Sequence, residues 1–234
     1  MIIQDEEFNF KRISDDEISN IIKNKFVIAL DFDGVITNTS KLKTKYINEL
    51  GYTIKEEESG RETSLKLGVL KKDYLKGSKK AYMESPRVLP LEKYFLKFFS
   101  ELRNFENVAL CIVTSRYDDM LFHLQEYLKF HKIKFDGIIH THDNNKIDGL
   151  RKINAKFFID DSIFKLNEIL EKDNKFYERC CLVLFRNKQN KNQGVDKMKI
   201  IDVNDWNELR SLLANKIKDF DTEKQKFGKN NSLF

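Results

Sequence analysis

Polar and apolar positions along this chain follow two alternating rhythms. Short unbroken apolar runs recur: "FVIAL" at 26–30, "VALCIV" at 108–113, "FFI" at 157–159 and "CCLVLF" at 180–185. Their length suits strands better than helices, and apolar residues at every position suit a strand covered on both faces. "FDGIIHTH" (135–142) and "KIIDV" (199–203) add two weaker runs of the same kind. Between them the period changes. In "YDDMLFHLQEYLKF" the apolar residues at 117, 120, 121, 124, 127 and 128 form one helical stripe. "LEKYFLKFFSELRNF" (91–105), "NKIDGLRKI" (145–153), "SIFKLNEIL" (162–170) and "NDWNELRSLLANKI" (204–217) also read as helices, and "SDDEISNIIKN" (14–24) opens on a capping serine.

Strand–helix–strand repeated in this way predicts an α/β fold, a Rossmann-like parallel sheet with helices on both faces joined by right-handed crossovers. One stretch breaks the rhythm. Residues 38–85 read as short, charged helical segments with no strand, and Pro86 and Pro90 bracket the exit. The end of the chain, 218–234, reads as a polar tail in which "FGKNNS" lacks the upstream glycine of a phosphate-binding loop.

Composition narrows the function classes. The 234 residues carry 42 basic and 37 acidic side chains, well interspersed, for a net charge of +5. That excess helps attract an anionic substrate but is too diffuse to mark a nucleic-acid surface. The apolar runs are far too short to span a bilayer, so no membrane partner is expected. Cys111, Cys180 and Cys181 all lie in apolar runs. They read as buried, reduced thiols, which fits a cytoplasmic location.

In sheets of this type ligands bind outside the carboxyl ends of the strands. Those ends carry the chemistry. The first run stops at Asp31-Phe32-Asp33-Gly34, and the second at Thr114-Ser115-Arg116. Lys146 follows the third, and Asp160-Asp161 the fourth. Two carboxylates one residue apart repel unless a cation or a shared proton neutralises them. Clustered carboxylates suit Mg²⁺, which favours oxygen ligands and often bridges protein to phosphate. Asp31 could serve as a nucleophile and Asp33 as general acid and base, with Thr114 and Lys146 holding phosphoryl oxygens. Gly34 lets the chain turn away from the strand.

These four stretches, "DFDGVI", "IVTSR", Lys146 and "FFIDDS", resemble the four motifs of the haloacid dehalogenase superfamily of phosphohydrolases, in the same order over residues 26–173. The resemblance implies a Mg²⁺-dependent phosphatase with Asp31 as phosphoryl acceptor and Asp33 as acid/base. It implies phosphate binding by Thr114 and Lys146, with Gly34, Ser115 and Arg116 on the substrate side. Asp161 would hold Mg²⁺ together with Asp31 and the Asp33 carbonyl, with Asp160 in the same acidic group, steadying Lys146. It further implies a core of residues 1–36 and 87–217 and a small helical C1-type cap at 37–86. Because Asp33 is kept, a phosphatase or phosphomutase is expected rather than a dehalogenase or transport ATPase.

The segment from "LVLFR" to Trp206 has a looser resemblance to 5′(3′)-deoxyribonucleotidases, and "TSR" to polynucleotide 3′-phosphatases. A nucleotide or other small phosphomonoester is therefore the expected substrate. A nucleic-acid 3′-end, a sugar phosphate undergoing isomerisation, and a non-catalytic phospho-ligand site are the alternatives.

Several residues have plainer readings. Lys152 or Lys156 could replace Lys146 if the strand boundary shifts by a few residues. Arg116 could hold phosphate or pair with an acidic neighbour such as Asp160. Trp206 reads as a packing residue, and Arg61, Lys66 and Lys76 as surface charge. His140 and His142 could face the same way, but no cysteine or third histidine follows at a zinc spacing. They read as solvated or capping side chains.

Overall fold

The computed structural model describes residues 1–142 and 145–230, with side chains described up to residue 220 and at 222. The last four positions of the expected tail, including the end of "FGKNNS", lie outside the described residues. An eight-stranded sheet runs in the order β2-β1-β5-β4-β3-β6-β7-β8. Six strands are parallel: β3 (Phe26–Leu30), β4 (Val108–Thr114), β5 (Gly137–His140), β6 (Phe157–Asp160), β7 (Cys181–Phe185) and β8 (Ile200–Val203). Helices α5 (Phe95–Arg103), α6 (Asp118–Phe130), α7 (Ile147–Lys152) and α8 (Ile163–Lys172) alternate with them. The expected α/β architecture is thus present.

The continuous apolar runs serve two cores at once. Phe26, Ile28 and Leu30 of β3 face one cluster with Leu110, Ile112 and Phe157, whereas Val27 and Ala29 face the other with Cys111, Val113 and Phe158. Every side chain is used, one face per parity, which is why no alternation shows in the sequence. Cys111 and Cys180 are buried, and Cys181 is half-buried; all three are free thiols. Trp206 is buried against Phe95, Phe98 and Phe185.

Two features depart from the expected layout. Strands β1 (Ile2–Glu6) and β2 (Asn9–Ile13) form an antiparallel hairpin, and β1 pairs with the free edge of β5. The turn at Glu7 and Phe8 takes φ of +53° and +68°, a conformation rarely signalled by such residues. The hairpin then leads into α1 (Asp15–Ile22), which opens on the predicted cap: Ser14 and Glu17 bond each other's backbone N–H. At the other end, α9 (Trp206–Asn230) continues well past residue 217, and Phe220 packs edge-on against Phe26. The expected polar tail begins as the rest of this helix.

The strandless stretch after β3 folds as α2 (Ser40–Asn48), a 3₁₀ turn (Glu56–Glu58), α3 (Arg61–Lys66) and α4 (Lys71–Tyr82). Its own core is small: Ile47, Ile54, Val69 and Tyr74. At Gly77 of α4 a Cβ would lie 2.8 Å from Ile47 Cγ1, so glycine is what lets α2 and α4 approach so closely.

Candidate active site

The chain leaves β3, winds outward through β4 and β5, then crosses back to β6 on the other side of β3. A parallel sheet opens a crevice at such a reversal, outside the strand ends. Every strand-end motif meets there. A cavity of about 210 Å³ is lined by Asp31, Asp33, Thr114, Ser115, Arg116, Lys146 and Asp161 from the sheet side.

Asp31 follows the last residue of β3, and its N–H bonds the Ile159 carbonyl of the neighbouring strand. Its Oδ1 accepts from the Phe32 N–H at 2.8 Å and lies 2.9 Å from Lys146 Nζ. The other oxygen, Oδ2, has no protein partner among the described residues. Lys146 Nζ also donates to Asp160 Oδ2 at 2.8 Å, while Asp160 Oδ1 accepts from the Ser162 N–H at 2.8 Å. Asp160 is fully buried with both oxygens committed, so its visible task is to fix Lys146. The two alternative lysines point elsewhere: Lys152 pairs with Asp15, and Lys156 with Asn154.

Gly34 sits at φ +87°, and a Cβ there would lie 1.9 Å from Asp161 Oδ2. Both the backbone and the space demand glycine. Its place is beside Asp161 rather than on the cavity wall. Asp161 Oδ2 accepts from Asn187 Nδ2 at 2.8 Å, and the Asp161 carbonyl accepts from Asn190 Nδ2 at 2.6 Å. Thr114 is buried and its Oγ1 accepts from the Arg116 N–H at 3.2 Å. Ser115 Oγ lies 3.3 Å from Thr141 Oγ1.

Arg116 takes the second of the two roles open to it, with a different partner. Its Nε and Nη2 bond both oxygens of Asp33, each at 2.8 Å, rather than Asp160. The guanidinium lies 4.6 Å from the Phe32 ring centroid and 5.1 Å from that of Tyr82, and its Nη1 is buried with no partner. A bidentate fork of this kind is strong and directional.

Carboxylate oxygens of Asp31, Asp160 and Asp161 fall within 4.8 Å of one another. Burial raises the Asp31 carboxyl to about 7; Lys146 pulls it down, and the charges of Asp160 and Asp33 push it further up. Burial likewise carries Asp161 up to about 8, helped by Asp160 and Asp31. Such crowding of buried acids is what a hard divalent cation relieves. The oxygen-only donor set fits Mg²⁺.

The helical insertion adds residues that no motif signalled. Lys43 of α2 is buried, with Nζ 4.9 Å from the Tyr82 ring centroid. Burial opposes its charge, yet Tyr82, Tyr74, Asp33 and Asp161 together hold its pKa above the usual lysine value. Tyr74, Ser78 and Tyr82 of α4 line the same cavity, as does Arg61, which had read as surface charge. A signal for Lys43 does exist: it shares the buried face of α2 with Ser40 and Ile47, where a lysine is out of place. Asn187, Gln189 and Asn190 come from the loop after β7.

No family model and no curated protein matches the chain. Solved structures do. A haloacid dehalogenase-like protein of unknown function from Agrobacterium tumefaciens aligns at 13% identity over 82% of this chain and 99% of that one, with a TM-score of 0.55. A hydrolase from Pseudomonas syringae aligns at 16% identity with the same coverage and TM-score. A predicted phosphatase from Clostridium acetobutylicum aligns at 14% identity over 82% of this chain and all of its own, with a TM-score of 0.57. The chain has the haloacid dehalogenase-like fold.

Proposed function

We propose that this protein is a divalent-metal-dependent phosphomonoester hydrolase that carries the phosphoryl group covalently on Asp31. One observation carries the reading. Asp31 is gripped through Oδ1 by Phe32 and Lys146, which leaves Oδ2 free toward a cavity lined by Lys43, Arg61, Arg116, Lys146 and Lys165. An anion entering there meets these five cationic side chains, set among the carboxylates of Asp33, Glu62 and Asp161, and one unengaged oxygen of Asp31.

In the first step Asp31 Oδ2 attacks phosphorus, the bond from phosphorus to the ester oxygen breaks, and that oxygen takes a proton from Asp33. In the second step Asp33 accepts a proton from water as the water attacks phosphorus, which frees phosphate and restores Asp31. Lys146 and Thr114 hold the phosphoryl oxygens while their charge redistributes. Asp33 can work only when Arg116 loosens its fork, and an anionic substrate offers that guanidinium a competing partner. Mg²⁺, held by Asp31, Asp161 and the Asp33 carbonyl, would supply charge neutralisation between carboxylates and phosphate. The small cavity and its tyrosines favour a nucleotide or other small phosphomonoester.

The test is phosphate release from nucleotides, sugar phosphates and 3′-phosphorylated oligonucleotides, with Mg²⁺ and with a chelator. Release from small esters that requires Mg²⁺ is expected. Activity confined to oligonucleotide ends, or undiminished by the chelator, would overturn the substrate class or the metal requirement respectively.

A further inference from the structure

The end of β5 holds a second concentration of ligand-type side chains, sharing no residue with the acidic cluster. His140 closes β5 with its side chain fully buried, and His142 stands two residues on, in a turn at φ +51°. Asp118, at the start of α6, completes the group. His140 Nδ1 lies 3.1 Å from Asp118 Oδ1, and His142 Nδ1 lies 3.0 Å from the same oxygen. The two imidazole centroids are 3.9 Å apart. One ligand atom from each residue falls within 4.8 Å of the others.

The tautomer of His140 decides what this arrangement is. Its Nε2 is bonded to the Arg116 carbonyl, which can only accept, so Nε2 carries the proton. Nδ1 of the neutral ring is then a bare lone pair, buried and without a hydrogen bond. It faces a carboxylate oxygen that also offers only lone pairs. Two acceptors at 3.1 Å repel unless positive charge lies between them. A metal ion meets the need at all three residues together. The spacing suits one: tetrahedral bonds of about 2.0–2.1 Å set neighbouring ligand atoms about 3.3 Å apart.

Two imidazoles and one carboxylate select against Mg²⁺, which wants oxygen, and for zinc and its late first-row neighbours. We propose that Asp118, His140 and His142 form a binding site for a divalent ion of the Zn²⁺ type, separate from the oxygen-lined cluster at Asp31 and Asp161. Asp118 is exposed and His142 half-exposed, so water can complete the coordination. The ion would tie the start of α6 to the end of β5. Through the His140 Nε2–H it would also brace the carbonyl of Arg116, the residue that clamps Asp33.

The test uses untagged full-length protein stripped of metal and then titrated with Zn²⁺ in excess Mg²⁺ by calorimetry. A parallel titration with Co²⁺ is read by its visible absorption. One equivalent of Zn²⁺, indifferent to Mg²⁺, is expected. His142→Ala and Asp118→Ala, both at solvent-accessible positions, should each weaken binding by at least about 100-fold while the metal-free melting curve stays unchanged. Asp161→Asn should leave the titration as it was. Wild-type protein that takes up no Zn²⁺ under these conditions would overturn the proposal. So would Zn²⁺ binding that survives in both the His142 and Asp118 variants, or that is lost in Asp161→Asn alone.

Discussion

The sheet and the helical insertion at 40–82 hold their cavity residues by different means. On the sheet side Asp31, Thr114 and Asp161 stand at the ends of strands whose every residue is buried, inside two extensive clusters on opposite faces. Across the cavity, Lys43, Tyr74, Ser78 and Tyr82 ride on helices whose shared core is four residues. The insertion reaches the rest of the protein through Leu42, which packs on the sheet's core, through Tyr82 against Arg116, and through polar ties: Gln189 Nε2 donates to Ser59 Oγ at 2.6 Å, Lys188 lies 2.9 Å from Glu56, and Lys79 pairs with Asp119. The two surface ion pairs among these contribute little. The contrast is one of packing: on it, the sheet face should be the rigid one and the helical face the one that opens first.

The largest expected effect comes from the rigid face. Lys146→Met removes the cation that bridges Asp31 and Asp160, both within hydrogen-bond distance of it. Breaking a buried pair in this way should cost about 3–5 kcal/mol in a denaturant titration and abolish phosphate release.

Next, Ile28→Ala and Ile47→Ala compare two fully buried isoleucines, one in β3 and one in the insertion. Each should cost about 2–5 kcal/mol where it acts. Hydrogen exchange will separate them: the first should lower protection throughout the sheet, the second only within 40–82. Sheet-wide loss in Ile47→Ala would erase the distinction drawn between the two regions.

Gly34→Ala should cost about 1–3 kcal/mol from the left-handed backbone alone. It should also displace Asp161, with which its Cβ would collide, and so weaken the Mg²⁺ requirement curve. A thermal melt and a Mg²⁺ titration of activity check the two parts.

The last effect is on pH. Asp31 and Asp161 are raised from an ordinary carboxylate value of 3.8 to about 7 and about 8. The folded chain therefore holds protons that the unfolded chain has released above pH about 4. Metal-free stability should fall as pH rises from there toward 8, and added Mg²⁺ should raise the melting temperature more at the upper end. A pH-independent Mg²⁺ effect would mean that these carboxylates do not hold the ion.

How much of this was readable from the residues varies by region, for physical reasons. Strands buried on both faces leave unbroken apolar runs, so β3, β4, β6 and β7 stand out. The β1–β2 hairpin buries little on its outer strand, mixes charges among its apolar residues and turns at Glu7-Phe8, so its pattern resembles a loop. The strand-end residues were visible because topology alone brings them together. The Arg116–Asp33 fork spans 83 positions, and nothing local selects Asp33 over Asp160 as partner. In the sequence His140 and His142 read as solvated or capping, because no cysteine or third histidine follows at a zinc spacing. Asp118 lies on another element and meets them only once α6 packs beside β5. Lys43 could have been found, as a charge on the buried face of its helix.

The account's central claim is that Asp31 takes the phosphoryl group. Acid quenching of the enzyme during turnover of p-nitrophenyl phosphate, followed by digestion and mass spectrometry, tests it most directly. One phosphoryl group on the peptide that contains Asp31, absent in Asp31→Asn together with turnover, is the predicted result. Turnover that continues in Asp31→Asn, or a phosphoryl group found on a different residue, would contradict it.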